Sequence, residues 1–183
     1  MRVITGSARG RRLRTLPGLE VRPTTDKVKE AIFSILQNDL PGARVLDLFA
    51  GSGQLGIEAL SRGAREAVFV DQARQALGVI RENLEHTGLA GRARVYGAPA
   101  EAFLKGNRER FDVILLDPPY QQGHSQRLLP LLAGAAAERG VILCETAADE
   151  PMPERAGDWP IYRQYRYGKV KLTAYRPAEE GEG

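Results

Sequence analysis

The sequence is poor in cysteine and has no long apolar run. Cys144 is its one cysteine in 183 residues, so an internal disulfide and a cysteine-based zinc site are both excluded. No stretch approaches the roughly 20 apolar residues of a membrane-spanning helix, and the N-terminal residues lack the apolar segment of a signal peptide. No residue spacing indicates a metal site. We therefore expect a cytoplasmic protein with an ordinary hydrophobic core.

Acidic residues are missing from two stretches that are rich in positive charge. Residues 1–14 contain five arginines and no acid, and residues 162–176 contain five cations, four tyrosines and no acid. The net charge is only +3, so the positive charge is concentrated near the two ends of the chain. A solvated surface would explain either run alone. Two such runs on one small chain favour a polyanionic partner.

Short apolar runs alternate with amphipathic stretches from Arg44 onward. The runs have little polar alternation, which is typical of strands buried on both faces of a parallel sheet. Predicted strands cover 44–49, 66–71, 92–97, 111–117 and 140–145, and predicted helices cover 54–62, 72–87, 99–106 and 124–137. This alternation predicts a doubly wound α/β sheet.

The two ends of the chain depart from this alternation. Residues 1–22 are expected to form a basic arm or β-hairpin, and a helix is expected to begin at about Thr25. Residues 159–176 predict two antiparallel strands joined by a turn at Gly168. We expect a nucleic-acid-contacting segment over 1–22, a catalytic domain over 23–176 and a disordered acidic tail over 177–183.

A glycine motif follows the first predicted strand of this domain. Gly51, Gly53 and Gly56 have the G-x-G-x-x-G spacing of dinucleotide-binding loops. Asp71 ends the next strand, where a carboxylate suits the hydroxyls of an adenosine ribose. The glycine spacing therefore predicts an adenosine-bearing ligand and leaves NAD and S-adenosylmethionine both open.

Asp47 lies just before this loop and favours one of the two ligands. A carboxylate beside a diphosphate would repel it, whereas the sulfonium and ammonium groups of S-adenosylmethionine are cations that a carboxylate attracts. The alternative is that Asp47 caps the turn. We interpret it as favouring S-adenosylmethionine.

A second motif, Asp117-Pro118-Pro119-Tyr120, ends a buried strand. The prolines stop the strand and make the backbone rigid. The Asp117 carboxylate and the Pro118 carbonyl are suited to accept hydrogen bonds from an exocyclic amine, and Tyr120 is suited to stack on an unpaired base. A rigid turn with a surface tyrosine is the alternative. The motif predicts methyl transfer to a base amine.

These motifs together resemble one family. The stretches RGRRL, RPTTDKVKEAIFSIL (22–36), DLFAGSGQLGIEALSRGA (47–64), FDVILLDPPY (111–120) and KVKLTAYR are similar to the RsmD family of small-subunit ribosomal RNA guanine-N2 methyltransferases. DPPY alone also occurs in adenine-N6 methyltransferases, but its combination with the arginine-rich and RPT-x-D-K-V-K-E stretches is far more specific. The resemblance extends from the N-terminal arginines to residue 176.

The resemblance implies a Rossmann-like, mostly parallel seven-stranded sheet with helices on both faces. It also implies S-adenosylmethionine as cofactor and a ribosomal RNA guanine as substrate, and leaves naked RNA and an assembling subunit both open. One small domain with its own pocket gives no reason to expect more than a monomer. The implied catalytic residues are Asp117, Pro118 and Tyr120. The implied cofactor residues are Asp47, Phe49, Gly51, Gly53, Gln54, Asp71, Ala100 and Glu101. The implied RNA contacts are Arg9, Arg11, Arg12, Arg22, Arg166 and Lys169.

One stretch departs from the family pattern. Pro99 occupies the position where the family usually has an acid that binds the cofactor's adenine, so Glu101 or backbone groups near Ala98 and Ala100 are expected to replace it. Three other functions remain open: adenine-N6 methylation, NAD-dependent oxidoreduction and RNA binding without catalysis. NAD chemistry would leave the DPPY motif unexplained.

Overall fold

The computed structural model describes residues 1–17 and 25–179. Within these residues the helices are α1 (Asp26–Ile35), α2 (Gln54–Ser61), α3 (Arg74–Thr87), α4 (Ala100–Gly106) and α5 (His124–Ala135), with a short 3-10 helix at Ala90–Arg92. The strands are β1 (Arg44–Leu48), β2 (Glu66–Asp71), β3 (Ala93–Gly97), β4 (Phe111–Leu116), β5 (Ala136–Ala147), β6 (Arg155–Ala156), β7 (Trp159–Tyr167) and β8 (Val170–Tyr175).

The strands form one sheet in the order β3-β2-β1-β4-β5-β8-β7-β6. Strands β1 to β5 are parallel, and β8, β7 and β6 continue the sheet in antiparallel pairs. The predicted α/β class and the closing antiparallel strands at Gly168 are confirmed. The predicted number of strands was wrong: the described sheet has eight, because the two-residue strand β6 pairs with the start of β7. So short a strand has no periodicity that the sequence could reveal.

The core lies on both faces of the parallel strands. One apolar cluster fills the face that α1, α2 and α3 cover, and a second fills the face that α4 and α5 cover. Strand β4 has five buried residues out of six, as the continuous apolar runs predicted. The predicted helix over 124–137 ends at Ala135, because Ala136 already pairs with Phe111 as the first residue of β5. The alanine-rich sequence there favours a helix, and sheet pairing overrides that preference.

Residues 1–14 form a hairpin-like segment, called here the N-terminal hairpin. Arg2 and Arg12 form an antiparallel bridge, and the Val3 N–H donates to the Arg11 carbonyl at 2.9 Å. Val3 and Leu13 are buried, whereas all five arginines are exposed. The alternation of buried apolar and exposed basic residues fastens the segment to the domain and leaves its charge in solvent.

The buried Glu58 carboxylate of α2 holds this hairpin. It accepts hydrogen bonds from the N–H groups of Ile4 (2.8 Å) and Thr5 (3.1 Å). It also pairs with Lys29 of α1 at 3.3 Å and with Arg62 at 3.1 Å. Burial lowers the pKa of Lys29, although Glu58 opposes that change. The Glu58 carboxylate thus joins the N-terminal hairpin, α1 and the end of α2. Loss of any one partner would leave a buried charge incompletely paired, which is destabilising.

Ser61, one turn beyond Glu58, makes a second attachment. Its hydroxyl donates to the Thr5 carbonyl at 2.6 Å and accepts from the Ala8 N–H at 2.9 Å. A Cβ atom at Gly6 would lie 1.8 Å from the Ser61 carbonyl oxygen. The turn of the N-terminal hairpin therefore lies directly against the backbone of α2.

Helix α2 itself lies unusually close to β2, and Gly56 makes this possible. A Cβ atom at Gly56 would come within 2.3 Å of the fully buried Phe69 ring. The third glycine of the motif is thus required by helix–sheet packing, which is its recognised role in such loops.

None of the helices in the described part of the chain is long and apolar enough to cross a membrane. Within residues 1–17 and 25–179, no cluster of three or more His, Cys, Asp or Glu side chains is arranged to hold a metal ion.

We predict that Gly56→Ala lowers the free energy of unfolding by about 1–3 kcal/mol, because the added methyl group overpacks a rigid part of the core. Urea denaturation measures the change. The matched control is Gly78→Ala on α3, where the added Cβ meets nothing within 4 Å; it should raise stability by about 0.5–1 kcal/mol. Equal effects of the two variants would contradict the close-packing argument.

Candidate active site

Four neighbouring strands end at one edge of the sheet and bring the motif residues together. Leu48 of β1 pairs with Val70 of β2 on one side and with Leu116 of β4 on the other, and Leu116 pairs with Cys144 of β5. The residues that follow, Asp71, Phe49, Asp117 and Glu145, therefore stand at adjacent strand ends, about 5 Å apart from strand to strand. The chain passes from β1 to β2 on one side and from β3 to β4 on the other, and open α/β sheets bind ligands at such a switch point.

The glycine loop is held open by Asp71. One Asp71 carboxylate oxygen accepts from the Gly51 N–H at 2.9 Å, and the other accepts from the Ala73 N–H at 2.9 Å. Gly51 and Gly53 both have positive φ, +59° and +83°, which only glycine adopts readily. A Cβ atom at Gly51 would meet only the Leu16 side chain, at 4.0 Å. The loop therefore leaves open space beside its backbone.

Asp47 is 1% exposed and lies beneath this loop. Its carboxylate accepts from the Gly56 N–H at 3.0 Å and so fastens α2 to the end of β1. This is the capping role that the sequence left as an alternative to ligand attraction. Burial raises the pKa of Asp47 to about 8, and the nearby Asp71 adds to the rise. The two roles are compatible, because a bound cation would favour ionisation of the same carboxyl group.

Phe49 adopts a left-handed backbone conformation, with φ of +57°, at the end of β1. Its ring contacts the His124 ring at the start of α5, with 5.1 Å between centroids. Non-glycine residues in this conformation concentrate at ligand-binding sites, where surrounding contacts enforce them. The contact links the glycine loop to the helix that follows the DPPY segment.

The DPPY segment is anchored on its far side by residues from the loop after β5. Gln121, the next residue, also has a left-handed φ of +58°, and its N–H donates to the Glu150 carboxylate at 3.4 Å. Pro118 is buried, whereas Asp117 and Tyr120 are half-buried. The segment thus presents an aspartate and an aromatic ring beside the glycine loop from a constrained backbone.

Glu145 is a site residue that the sequence reasoning missed. It is 4% exposed and lines a small cavity together with Asp117. It comes directly after Cys144, the residue of β5 that pairs with Leu116. An acidic residue at the end of the apolar run GVILCE was the available signal.

Asn83 of α3 is a second residue that the sequence reasoning missed. Its amide donates to the Ser52 carbonyl at 2.9 Å and to the Arg14 carbonyl at 3.0 Å, and its oxygen accepts from the Arg14 N–H at 2.7 Å. The side chain is 2% exposed. It therefore couples the N-terminal hairpin to the glycine loop. A polar residue on an apolar helix face was the signal.

The start of α4 offers backbone groups rather than a carboxylate. Pro99 is its N-cap, and the first-turn amides that follow, beginning with Ala100, have no partner within the helix. Glu101 pairs with Lys105 at 3.0 Å and with Arg127 at 3.4 Å, and Lys105 lowers its pKa. Of the two replacements for the missing acid, the Ala100 amide is the better placed, since Glu101 already has cationic partners.

The predicted RNA-contacting cations that the structure describes all lie on the surface. Arg9, Arg11 and Arg12 are exposed on the N-terminal hairpin, and Arg166 and Lys169 are exposed at the β7–β8 turn. Arg22 is outside the described residues. The assignment of all these residues to RNA stays a prediction.

The strand order, the glycine loop and the residues at the switch point define an S-adenosylmethionine-dependent methyltransferase fold. A solved structure titled "Putative methyltransferase yhhF" from Escherichia coli is similar throughout, with a TM-score of 0.84, 36% identity, and coverage of 98% of this chain and 99% of that one. The model of the family described as "Conserved hypothetical protein 95" matches residues 1–176, and the chain belongs to that family. The resemblance to RsmD proteins is confirmed.

Two curated relatives match this chain over almost their full length. The chain is 42% identical to "Putative rRNA methyltransferase YlbH" of Bacillus subtilis, over 96% of this chain and 98% of the relative. It is 34% identical to "Ribosomal RNA small subunit methyltransferase D" of Escherichia coli strain K12, over 100% of this chain and 92% of the relative.

We predict that Asp47→Asn flattens the pH dependence of stability. The folded carboxyl group, with a pKa of about 8, keeps a proton that the unfolded chain has already released above pH 3.8. Its contribution to the unfolding free energy therefore falls as the pH rises between these values. Asparagine keeps an acceptor for Gly56 and cannot ionise. From about pH 5 to about pH 8 the variant should gain at least about 1 kcal/mol relative to wild type.

Urea denaturation at a series of pH values measures this difference. The control is Asp158→Asn, which changes an exposed carboxylate and should follow the wild-type profile. A parallel profile for Asp47→Asn and wild type would contradict a buried, protonated Asp47.

Proposed function

We propose that this chain transfers a methyl group from S-adenosylmethionine to the exocyclic N2 amine of a guanine in small-subunit ribosomal RNA. The observation that carries the proposal is the register of β1 with β4. Leu48 pairs with Leu116, so the glycine loop and the DPPY segment emerge side by side at the switch point. A donor bound at the loop and a base bound at DPPY would then lie next to each other.

The residues of the loop fit S-adenosylmethionine better than a dinucleotide. Asp71 is half-buried and retains acceptor capacity for ribose hydroxyls beyond its two backbone bonds. Gln54 has a buried amide oxygen with no hydrogen-bond partner among the described residues. That oxygen and the Asp47 carboxyl group suit the ammonium and sulfonium of this cofactor, and neither suits a diphosphate. Phe49, Gly51 and Gly53 would supply the close walls of the site.

The cofactor's adenine would lie toward α4, on the side of Asp71. The Ala100 amide at the start of that helix can donate to a ring nitrogen of adenine. Glu101 would lie beside the adenine without binding it directly, because Lys105 and Arg127 already bind its carboxylate.

The bound cofactor supplies an electrophilic methyl group on a sulfonium. The chain's own residues prepare the nucleophile, whose lone pair is delocalised into the base. The Asp117 carboxylate and the Pro118 carbonyl would accept hydrogen bonds from the two N–H groups of the amine. These bonds would draw the nitrogen toward tetrahedral geometry and direct its lone pair at the methyl carbon. Tyr120 would stack on the flipped base. Positioning and electrostatics then provide the catalysis.

The ribosomal RNA substrate is inferred from the relatives, which are named for rRNA methylation. We assign residues 1–22 to RNA contact, 23–176 to the catalytic domain and 177–183 to an acidic tail, of which 180–183 lie outside the described residues. Arg9, Arg11, Arg12, Arg22, Arg166 and Lys169 would bind phosphates. We further propose a monomer that acts in the cytoplasm, on naked RNA or on an assembling subunit.

Nucleoside analysis tests this function directly. Unmodified small ribosomal subunits or their naked RNA, incubated with the protein and labelled S-adenosylmethionine, should yield labelled N2-methylguanosine on mass spectrometry. Labelled N6-methyladenosine would instead support the adenine-N6 alternative. The absence of any labelled nucleoside would refute the proposal.

Asp117→Ala should lower the turnover rate by a factor of about 100 or more, because the amine loses its charged acceptor. Affinity for S-adenosylmethionine, measured by calorimetry, should stay near the wild-type value. Asp158→Ala, the same change at an exposed position, should leave both quantities unchanged. If Asp117→Ala loses cofactor affinity instead, the residue belongs to the cofactor site.

A further inference from the structure

A groove of about 600 Å³ runs between the C-terminal end of α1 and strand β7. Its β7 wall includes Tyr162, Arg163 and Tyr165, and its α1 wall includes Ser34, Gln37 and Asn38. None of these residues has a role in the site described above. The groove is lined by aromatic, cationic and amide side chains, together with Ala31, Ile35 and Asp39.

Tyr162 lies at one end of this wall and is 50% exposed. The guanidinium carbons of Arg163 and Arg176 lie 5.6 Å and 5.2 Å from its ring centroid. Asp39 holds Arg176 through two hydrogen bonds, at 2.8 Å and 2.9 Å. Asp39 therefore holds Arg176 beside the Tyr162 ring before any ligand arrives, whereas the exposed Arg163 has no carboxylate partner among the described residues.

The chemistry of this platform, the Tyr162 ring and the two guanidinium groups beside it, matches unpaired nucleotides. Bases stack on tyrosine rings and on guanidinium planes, and an arginine without an acidic partner attracts phosphate. Gln37 and Asn38, exposed on the opposite wall, present amide donors and acceptors of the kind that read base edges.

The groove also lies close enough to the DPPY segment for one RNA strand to reach both. Tyr165 pairs with Leu172 and Leu172 with Glu145, while Cys144 pairs with Leu116, the residue before Asp117. Tyr165 and Asp117 are thus at nearly the same level of the sheet, three strand spacings or about 14 Å apart. From Tyr162 to Tyr167 the wall extends about 17 Å along β7. A few nucleotides next to a flipped base could span this distance.

We propose that this groove binds the single-stranded RNA flanking the target nucleotide, with bases stacked on the Tyr162–Arg163–Arg176 platform. The inference rests on the proposed function for the identity of the partner as RNA. It assigns to α1 and β7 a binding role beyond the basic N-terminal hairpin and the β7–β8 turn.

The test measures RNA affinity without requiring turnover. Fluorescence anisotropy would follow the binding of the full chain to a labelled, unstructured RNA of about twelve nucleotides. Tyr162→Ala should weaken binding about 5- to 30-fold through lost stacking, and Tyr162→Phe should bind within about twofold of wild type. Arg163→Ala should weaken binding and make the salt dependence shallower by about 0.7 in log–log slope.

The matched control is Tyr96→Ala, which removes another exposed tyrosine from the opposite edge of the sheet. Its RNA affinity should equal that of wild type. Thermal unfolding of every variant identifies any loss of fold, and the Tyr162→Phe result separates stacking from packing.

Equal RNA affinity of Tyr162→Ala, Arg163→Ala and wild type would overturn the proposal and leave a protein partner as the occupant of the groove. Equal weakening by Tyr162→Ala and Tyr162→Phe would overturn the stacking platform. Failure of the proposed function has a different signature: wild type would produce no methylated nucleoside, whatever the variants do to RNA affinity.

Discussion

The close approach of Gly56 to Phe69 is the constraint on which the rest of the site depends. Because Gly56 has no side chain, α2 lies against β2, and its backbone comes within hydrogen-bonding distance of Asp47. That position sets the glycine loop at the N-terminal end of α2. It also sets Glu58 and Ser61, which hold the N-terminal hairpin further along the same helix. A single helix thus positions both the cofactor loop and a basic surface proposed to contact RNA.

The charges around the loop explain how a dinucleotide spacing can serve another ligand. The three glycines determine backbone shape and packing, which any adenosine ligand lying close to the chain requires. Acceptors then select the ligand: the Asp47 and Asp71 carboxyl groups and the Gln54 amide oxygen are all suited to donors or cations. A diphosphate needs amide donors and positive charge instead. In the proposed function, the DPPY segment on the neighbouring strand β4 would complete a site with two different halves, one for a cationic donor and one for a neutral amine.

Much of this arrangement could be predicted from the sequence, because its signals are local. Buried strands are continuous apolar runs, the glycine motif stands between a strand and a helix, and Thr25 is a typical N-cap, as the structure has it. The features that could not be predicted from the sequence depend on tertiary contacts. Asn83 and Glu58 look like ordinary helix polar residues until the hairpin packs on them, and the β5 extension from Ala136 needs its partner Phe111. Strand β6 is too short for any periodicity, and the groove of α1 and β7 joins residues more than a hundred positions apart.

The central claim is that the glycine loop holds a methyl donor, and calorimetry of the wild-type chain tests it most directly. Titration with S-adenosylmethionine should give saturable binding with one site per chain, and titration with NAD under the same conditions should give no binding heat. Saturable binding of NAD without binding of S-adenosylmethionine would contradict the account.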